Sequence, residues 1–168
     1  MSERIWILRD YSACSGCRLC EIACSLKHEG VIWPAASRIK IFEIIPGLPI
    51  PYFCVQCPDY PCVSACPTKA LKVDDKTGAV LVDEGLCILC GKCIEACPGK
   101  VPRIVKNKAA VIICDLCGGD PECVKVCSKA GYNALKVIKH PNNDIVKHYL
   151  IDPEKISKYI LAKYRKGV

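Results

Sequence analysis

Short, regularly spaced cysteine runs are the part of this chain that could do chemistry. The clearest run extends from Cys87 to Pro98, where four cysteines follow the spacing C-x2-C-x2-C-x3-C and a proline follows the last. Thiolates this close in sequence can surround the irons of one 4Fe–4S cluster, and such clusters use this spacing. The proline ends the short helix that bears the last cysteines, because it lacks an amide hydrogen. The run therefore predicts an iron–sulfur site.

All 16 cysteines fall into four runs of four. The first run, Cys14–Cys24, repeats the spacing of the third, whereas the second run, Cys54–Cys66, has four residues in its middle loop and the fourth run, Cys114–Cys127, has five. A zinc knuckle or a disulfide knot is the alternative. Within a run, however, the cysteines lie too close for most of them to pair usefully as disulfides. The pattern favours iron–sulfur clusters.

Length and charge narrow the class of protein. A chain of 168 residues has room for one domain or two small, intimately packed ones. It shows no signal peptide and no apolar run long enough for a membrane helix, so we expect a cytoplasmic protein without a membrane segment. The formal charge of +7 does not indicate nucleic-acid binding. Four clusters, each about −2 when oxidised, would offset it.

Alternating apolar residues between the cysteine runs predict short strands. The predicted strands are 4–9 and 38–45, and the predicted hairpins are 70–83, 103–113 and 134–151. In the last hairpin, 134–139 and 145–151 would be the strands. The fold class expected is α+β, with short helices and β-hairpins around 4Fe–4S clusters.

Two stretches supply no cysteine ligand. Residues 25–53 are expected to form an irregular insertion over the clusters, either shielding them from water or binding a partner. Residues 134–168 are expected to form the last hairpin and a helix, for which Asp152 is a plausible N-cap and Pro153 suits the first turn. The apolar stripe of this helix would consist of Ile156, Ile160, Leu161 and Tyr164. It would pack on its own domain or on a partner.

The residues after the last cysteines suggest how the runs pair. The second and third runs end in Cys-Pro, whereas the first and fourth end in Cys-Ser. We therefore expect residues 1–168 to form a single compact domain with two nested, bacterial-ferredoxin-like units. The inner unit would span about 52–102, and the outer unit about 4–30 plus 103–137.

This arrangement resembles the four-cluster electron-transfer subunits that serve molybdenum- and tungsten-pterin enzymes. The β-subunits of dimethyl sulfoxide reductase, formate dehydrogenase and nitrate reductase belong to that group. The opening DYSACSGCRLCEIACSLKHEG, followed by PAASRI, is similar to the small polyferredoxin subunit of tungsten-containing aldehyde:ferredoxin oxidoreductases. We expect the chain to differ from many of the β-subunits in being short and in having no C-terminal membrane anchor.

The resemblance implies four 4Fe–4S clusters, with the last cysteine of each run binding the cluster of its partner run. We number the sites by the run that supplies three ligands. Site 1 would comprise Cys14, Cys17, Cys20 and Cys127; site 2, Cys54, Cys57, Cys62 and Cys97; site 3, Cys87, Cys90, Cys93 and Cys66; and site 4, Cys114, Cys117, Cys123 and Cys24.

The same resemblance implies a chain that moves electrons and does no bond chemistry of its own. It would relay electrons between a tungsten- or molybdenum-pterin catalytic subunit, expected to be an aldehyde oxidoreductase, and ferredoxin or another redox protein. The alternatives are a free-standing multicluster ferredoxin, a β-subunit of a dimethyl sulfoxide reductase or formate dehydrogenase type of enzyme, and a structural zinc protein. The sequence contains no GxGxxG, P-loop or nucleophile elbow.

Residues around the cysteines carry further expectations. Val55, Ile88, Leu89 and Val124 would exclude water from the clusters, and Lys69, Lys92 and Lys129 could set their potentials. The histidines, His28, His140 and His148, are scattered along the chain. We expect each histidine to be a surface or structural residue.

Overall fold

The computed structural model describes residues 4–165, and its strands form three two-stranded antiparallel ribbons. The strands are β1 (Ile5–Arg9), β2 (Lys40–Phe42), β3 (Ile50–Tyr52), β4 (Leu71–Val73), β5 (Val80–Val82) and β6 (Leu135–Lys139). The ribbons are β1–β6, β2–β3 and β4–β5. In the first ribbon, Arg9 lies opposite Leu135. This ribbon therefore joins the start of the chain to the segment after the fourth cysteine run.

A short helix bears the third cysteine of each run, and the fourth cysteine lies within that helix or just after it. The helices are α1 (Leu19–Glu29), α2 (Pro61–Ser64), α3 (Lys92–Ala96), α4 (Glu122–Lys129), α5 (Asn143–Tyr149) and α6 (Pro153–Arg165). Helix α1 of the first run packs against α4 of the fourth, and α2 of the second run packs against α3 of the third. The helix packing thus pairs the outer runs with each other and the inner runs with each other.

The three predicted hairpins have different outcomes. The hairpin within 70–83 is confirmed as β4–β5, and Gly78 in its turn has a φ of 76°. In 103–113 the structure contains a single bridge between Arg103 and Ile112. The hairpin predicted over 134–151 is wrong, because β6 pairs with β1 and the segment after it is helix α5.

Helix α5 has a clear local cause. The side chain of Asn142 accepts a hydrogen bond from the Ile145 amide at 3.1 Å and so caps the helix start. Val146 is fully buried, and Tyr149 packs its ring against Trp6 at 5.2 Å between centroids. Apolar residues three apart form one face of a helix. The alternating apolar residues of 145–151 predicted a strand. The helix cap and the buried helix face outweigh that preference.

The C-terminal helix is confirmed as α6. The amide of Glu154 donates to the Asp152 side chain at 2.8 Å. Ile156 is 3% exposed and Ser157 is buried, and the helix packs against β3. The stripe therefore faces the chain's own domain, although the Tyr164 side chain lies outside the described residues. In the described part of the chain, no helix is both long and apolar enough to cross a membrane.

The 25–53 insertion is more regular than expected. It contains the end of α1, a 3-10 turn at Pro34–Ala36, and the β2–β3 ribbon. Glu21 of α1 is buried, and its carboxylate accepts a hydrogen bond from the Ile41 amide at 2.7 Å. Glu29 at the end of α1 pairs with Arg38 at 3.0 Å and with Lys108 at 2.9 Å. These contacts fix the insertion over the helix of the first run.

Candidate iron–sulfur site

The four cysteine runs share one backbone feature. In every run, the residue just before the second cysteine has a left-handed conformation. These residues are Gly16 (φ 74°), Gln56 (φ 50°), Leu89 (φ 54°) and Leu116 (φ 55°). Only glycine adopts this conformation without strain, so the other side chains cost on the order of 1 kcal/mol each. Such a cost, repeated at equivalent positions, indicates that the four loops serve the same purpose.

In the first, second and fourth runs, the amide of the left-handed residue donates to the sulfur of the first cysteine. The amide of Gln56 lies 3.4 Å from the sulfur of Cys54 and donates to it. The amide of Leu116 donates in the same way to the sulfur of Cys114. This hydrogen bond acts to lower the pKa of Cys114, whereas burial raises it. Amide hydrogen bonds to sulfur stabilise the negative charge of a thiolate and of a metal cluster bound to it.

Site 1 combines cysteines from the first and fourth runs in a single cavity. The cavity is lined by Cys14, Cys17, Cys20 and Cys127, together with Ile41 and other residues. Burial raises the pKa of Cys14, and negative charge on Cys127 and Cys17 acts in the same direction. The structure therefore places the last cysteine of the fourth run beside three cysteines of the first.

At site 2, a cysteine of the third run lies beside the cysteines of the second run. Burial raises the pKa of Cys54 and of Cys57 to about 12, and that of Cys62 to about 11. In all three, negative charge on Cys97 of the third run adds to the effect of burial. The amide of Val101 donates to the sulfur of Cys97 at 3.4 Å. Cys97 thus lies among the cysteines of the second run.

Site 4 brings Cys24 of the first run to the cysteines of the fourth. Burial raises the pKa of Cys114 and of Cys123 well above the usual thiol value, and negative charge on Cys24 contributes at both. The amide of Arg38, in the insertion, donates to the sulfur of Cys24 at 3.2 Å. The insertion therefore supplies a hydrogen bond to the exchanged cysteine.

At site 3 the structure brings together the three cysteines of the third run. Burial, and then negative charge on Cys87 and Cys90, raises the pKa of Cys93. Cys66 follows α2, the helix that packs against α3 with Cys93. Burial acts to raise the pKa of Cys66, but hydrogen bonds, chiefly from the Leu71 amide, outweigh it and lower that pKa.

The residues fit 4Fe–4S clusters. All 16 cysteines are free thiols. Buried thiolates are costly without a neighbouring cation, and bound iron offsets that cost by holding each sulfur deprotonated. The side-chain amide of Gln56, between Cys54 and Cys57, is buried without a hydrogen-bond partner for either of its polar atoms. Such an amide can serve the thiolates or sulfides of a cluster at site 2.

Exposure differs among the sites. Cys17 of site 1 and Cys90 of site 3 are exposed, whereas Cys54 of site 2 and Cys114 of site 4 are buried. Val55 is 2% exposed, as expected of a residue that excludes water. Ile88, predicted to do the same, is 63% exposed, so that prediction is wrong. A bulky apolar side chain therefore projects from the surface two residues before Cys90.

His28 joins the first and fourth runs. Its Nδ1 donates to the carbonyl of Cys24 at 2.8 Å, and its Nε2 donates to the Asp115 carboxylate at 3.0 Å. Because both partners only accept hydrogen bonds, the ring is protonated. Burial acts to lower the pKa of His28, but the hydrogen bonds that it donates, to Asp115 first and then to Cys117 and Cys24, raise the pKa to about 12. The structural role expected of His28 is confirmed.

Comparison with known proteins agrees with this geometry. A family model described as a 4Fe–4S dicluster domain matches residues 47–138. The chain belongs to this family. The protein is an iron–sulfur electron-transfer subunit of an oxidoreductase.

Three relatives extend the comparison. The chain is 58% identical to an aliphatic sulfonate oxidoreductase, polyferredoxin-like subunit, of Pyrococcus furiosus, over 97% of this chain and 94% of the relative. It is 31% identical to the thiosulfate reductase electron transfer subunit PhsB of Salmonella typhi, over 76% of this chain and 73% of the relative. It is 33% identical to the putative electron transport protein YsaA of Escherichia coli, over 80% of this chain and 91% of the relative.

Proposed function

We propose that this chain holds four 4Fe–4S clusters, one at each of sites 1–4, and relays electrons for a tungsten- or molybdenum-pterin catalytic subunit. The observation behind the proposal is the loop conformation that recurs in all four cysteine runs. Neighbouring thiols at sites 1, 2 and 4 support the exchange of the last cysteine between paired runs. A two-cluster protein would have no need of the outer runs.

The residues of the chain fit a role in electron relay. Each bound cluster accepts and gives up one electron. The amides of Gln56, Arg38 and Val101 donate to ligand sulfurs and so favour negative charge there. We take sites 2 and 4 as the middle of the relay, because negative charge on Cys54 of site 2 acts on Cys114 of site 4, and burial of these two cysteines keeps water from both sites. Exposure of Cys17 and Cys90 lets electrons enter at one end of the chain of sites and leave at the other.

The partner's substrate is the finer part of the proposal. The resemblance of the first run implies an aldehyde oxidoreductase. The 58% identical relative is named for an aliphatic sulfonate oxidoreductase, and this name favours an aliphatic sulfonate as the second candidate. Either substrate, the aldehyde or the aliphatic sulfonate, would bind to the catalytic subunit and not to this chain. The irons of a cluster with four thiolate ligands have no open position for a substrate.

The docking surface is proposed to include the 25–53 insertion. Val31 and Ile32 lie there, 56% and 64% exposed, in a segment fixed over α1 by the pairing of Glu29 with Arg38. Ordered and exposed apolar side chains are typical of protein-binding surfaces. The C-terminal helix is the weaker candidate, since Ile156 faces its own domain.

The test is anaerobic purification of the tagged chain from its native host. We expect about sixteen irons and about sixteen acid-labile sulfides per chain, together with a larger protein that contains tungsten or molybdenum. About eight irons would contradict the proposal that sites 1 and 4, of the outer runs, hold clusters. Zinc without sulfide would contradict the cluster assignment at all four sites. A lone monomer with full iron would favour a free-standing ferredoxin. Electron uptake from an aldehyde or from an aliphatic sulfonate, measured on the complex, would decide the substrate.

A further inference from the structure

Arg9, the last residue of β1, has a fully buried guanidinium. The side chain is 1% exposed, and its Nη2 donates to the carbonyl of Phe53 at 2.9 Å. The guanidinium carbon lies 4.0 Å from the centre of the Phe53 ring and 5.5 Å from that of Tyr149. Aromatic faces attract a cation, so these rings favour the charge. The rings do not replace a negatively charged partner.

The charge of Arg9 lacks a carboxylate partner among the described residues. In the part of the chain that the structure describes, no carboxylate forms an ion pair with Arg9. Its Nε and Nη1 make no well-formed hydrogen bond, and the neutral Tyr11 hydroxyl lies beside the guanidinium. Arginine stays protonated in proteins. A buried charge without a partner costs several kcal/mol, so it is retained only where something else offsets it.

Cysteines of two different sites lie close enough to act on the guanidinium. Burial lowers the pKa of Arg9, and negative charge on Tyr11 and Tyr52, and then on Cys54 of site 2 and Cys114 of site 4, opposes that effect. Negative charge on Cys54 also acts directly on Cys114. Site 2 belongs to the inner pair of runs and site 4 to the outer pair. Arg9 therefore lies where the two units meet.

We propose that Arg9 is the buried counter-charge shared by the clusters at sites 2 and 4, and that it raises the reduction potentials of these two clusters. The proposal rests on the ligand sets proposed above. A cluster with four thiolates changes from about −2 to about −3 when it takes one electron. A fixed positive charge in a water-free interior favours the more negative form. Arg9 would therefore ease electron transfer across the junction between the two units.

A purely structural role is the alternative. The hydrogen bond from Arg9 to the Phe53 carbonyl also holds the start of the second cysteine run in place. A lysine or a glutamine at this position could keep part of that contact. The two substitutions differ in charge. Arg9→Lys keeps the positive charge, whereas Arg9→Gln removes it and leaves an amide donor.

The experiment is a redox titration of the anaerobically purified holoprotein, followed by electron paramagnetic resonance. The variants are Arg9→Lys and Arg9→Gln, and the control is Lys136→Gln, which removes an exposed charge from β6 of the same ribbon. The signal of site 2 is the one that disappears in Cys97→Ala. We expect Arg9→Gln to lower the potentials of two clusters, site 2 among them, and to leave the other two unchanged. Arg9→Lys should retain most of the wild-type values, and Lys136→Gln all of them.

Two results would overturn the proposal. One is an Arg9→Gln protein with full iron and four unchanged potentials. The other is an equal loss of iron in Arg9→Lys and Arg9→Gln, which would show that the Phe53 contact matters and the charge does not. Loss of iron in Arg9→Gln alone would support the counter-charge. Fewer than four clusters in the unmodified protein would contradict the proposed function instead, so the two failures are distinguishable.

Discussion

At the scale of single residues, the last cysteine of a run follows the third cysteine by about one helical turn. It therefore points to a different site from the other three. In the third run, Cys93 lies within α3 and is affected by Cys87 and Cys90. Cys97, at the end of the same helix, is instead among the main influences on Cys57 and Cys62. One helix thus presents cysteines to two sites, and it fixes the distance between them.

This separation gives a prediction about iron content. Cys97→Ala and Cys57→Ala should each remove the cluster of site 2, about four of the irons. The double variant should lose no more iron than either single variant, because both residues would bind the same cluster. Iron and sulfide analysis of the anaerobically purified proteins measures this. Cys93→Ala combined with Cys57→Ala is the control, and it should lose two clusters. If Cys97→Ala with Cys57→Ala also loses two, the exchange of the last cysteine is wrong.

At the scale of elements, the β1–β6 ribbon holds the loop that enters the second cysteine run. The indole of Trp6 donates to the Val55 carbonyl at 2.9 Å, and Nε2 of His140 contacts the Gln56 carbonyl at 3.2 Å. With the bond from Arg9 to Phe53, three side chains of this region bind consecutive or nearly consecutive carbonyls. The ribbon therefore makes the geometry of site 2 depend on both ends of the chain.

The packing of α6 gives a prediction about stability. Ile156→Ala should destabilise the fold by about 2–5 kcal/mol, because it removes buried methyl groups and leaves a cavity. Lys155→Ala is the control, since Lys155 is exposed on the same helix. It should change the free energy of unfolding by less than about 0.5 kcal/mol. Anaerobic thermal unfolding of the holoprotein measures both. Equal melting temperatures for the two variants would contradict the packing of α6 on its own domain.

The sequence predicted local features better than contacts between distant segments. Helix α6 was predictable because Asp152 and Pro153 mark its start within three residues. The pairing of β6 with β1 was not, since nothing near Leu135 indicates that its partner is Arg9, at the other end of the chain. For the same reason, the sequence showed Arg9 only as part of a strand.

Backbone conformation was similarly hidden in the candidate site. Of the four left-handed positions, only Gly16 has the residue type that reveals one. Gln56 and Leu116 adopt it because tertiary packing and the bond to sulfur outweigh the strain. The cysteine spacing was enough to predict the type of site, since spacing is a local property. The lysines expected to set potentials, Lys69, Lys92 and Lys129, are exposed, and the buried cation is Arg9.

At the scale of the whole molecule, the proposed path through the four sites has a buried middle, sites 2 and 4, and two ends near the surface, sites 1 and 3. Cys17 is exposed at the site 1 end, next to Arg18 and Leu19, and Cys90 is exposed at the site 3 end. The middle sites, 2 and 4, meet near Arg9. Electron transfer slows steeply with distance, so each external redox partner should use the end to which it binds most closely.

The two ends should therefore serve different partners. Leu19→Glu places a negative charge beside the exposed cysteine of site 1, and Ile88→Glu does so at site 3. Ile88 is 63% exposed, whereas Leu19 is 36% exposed and also lines the cavity of site 1. Iron analysis therefore precedes the kinetics, and only variants with full iron are compared. We expect one variant to slow electron transfer from the catalytic subunit and the other to slow transfer to ferredoxin. Stopped-flow reduction of the complex by substrate, and its reoxidation by ferredoxin, would measure the two steps separately. Leu81→Glu, an exposed apolar position on β5 away from the cysteine runs in sequence, is the control and should slow neither step. If both end variants slow the same step, electrons enter and leave through one end, and the four sites do not form a linear path.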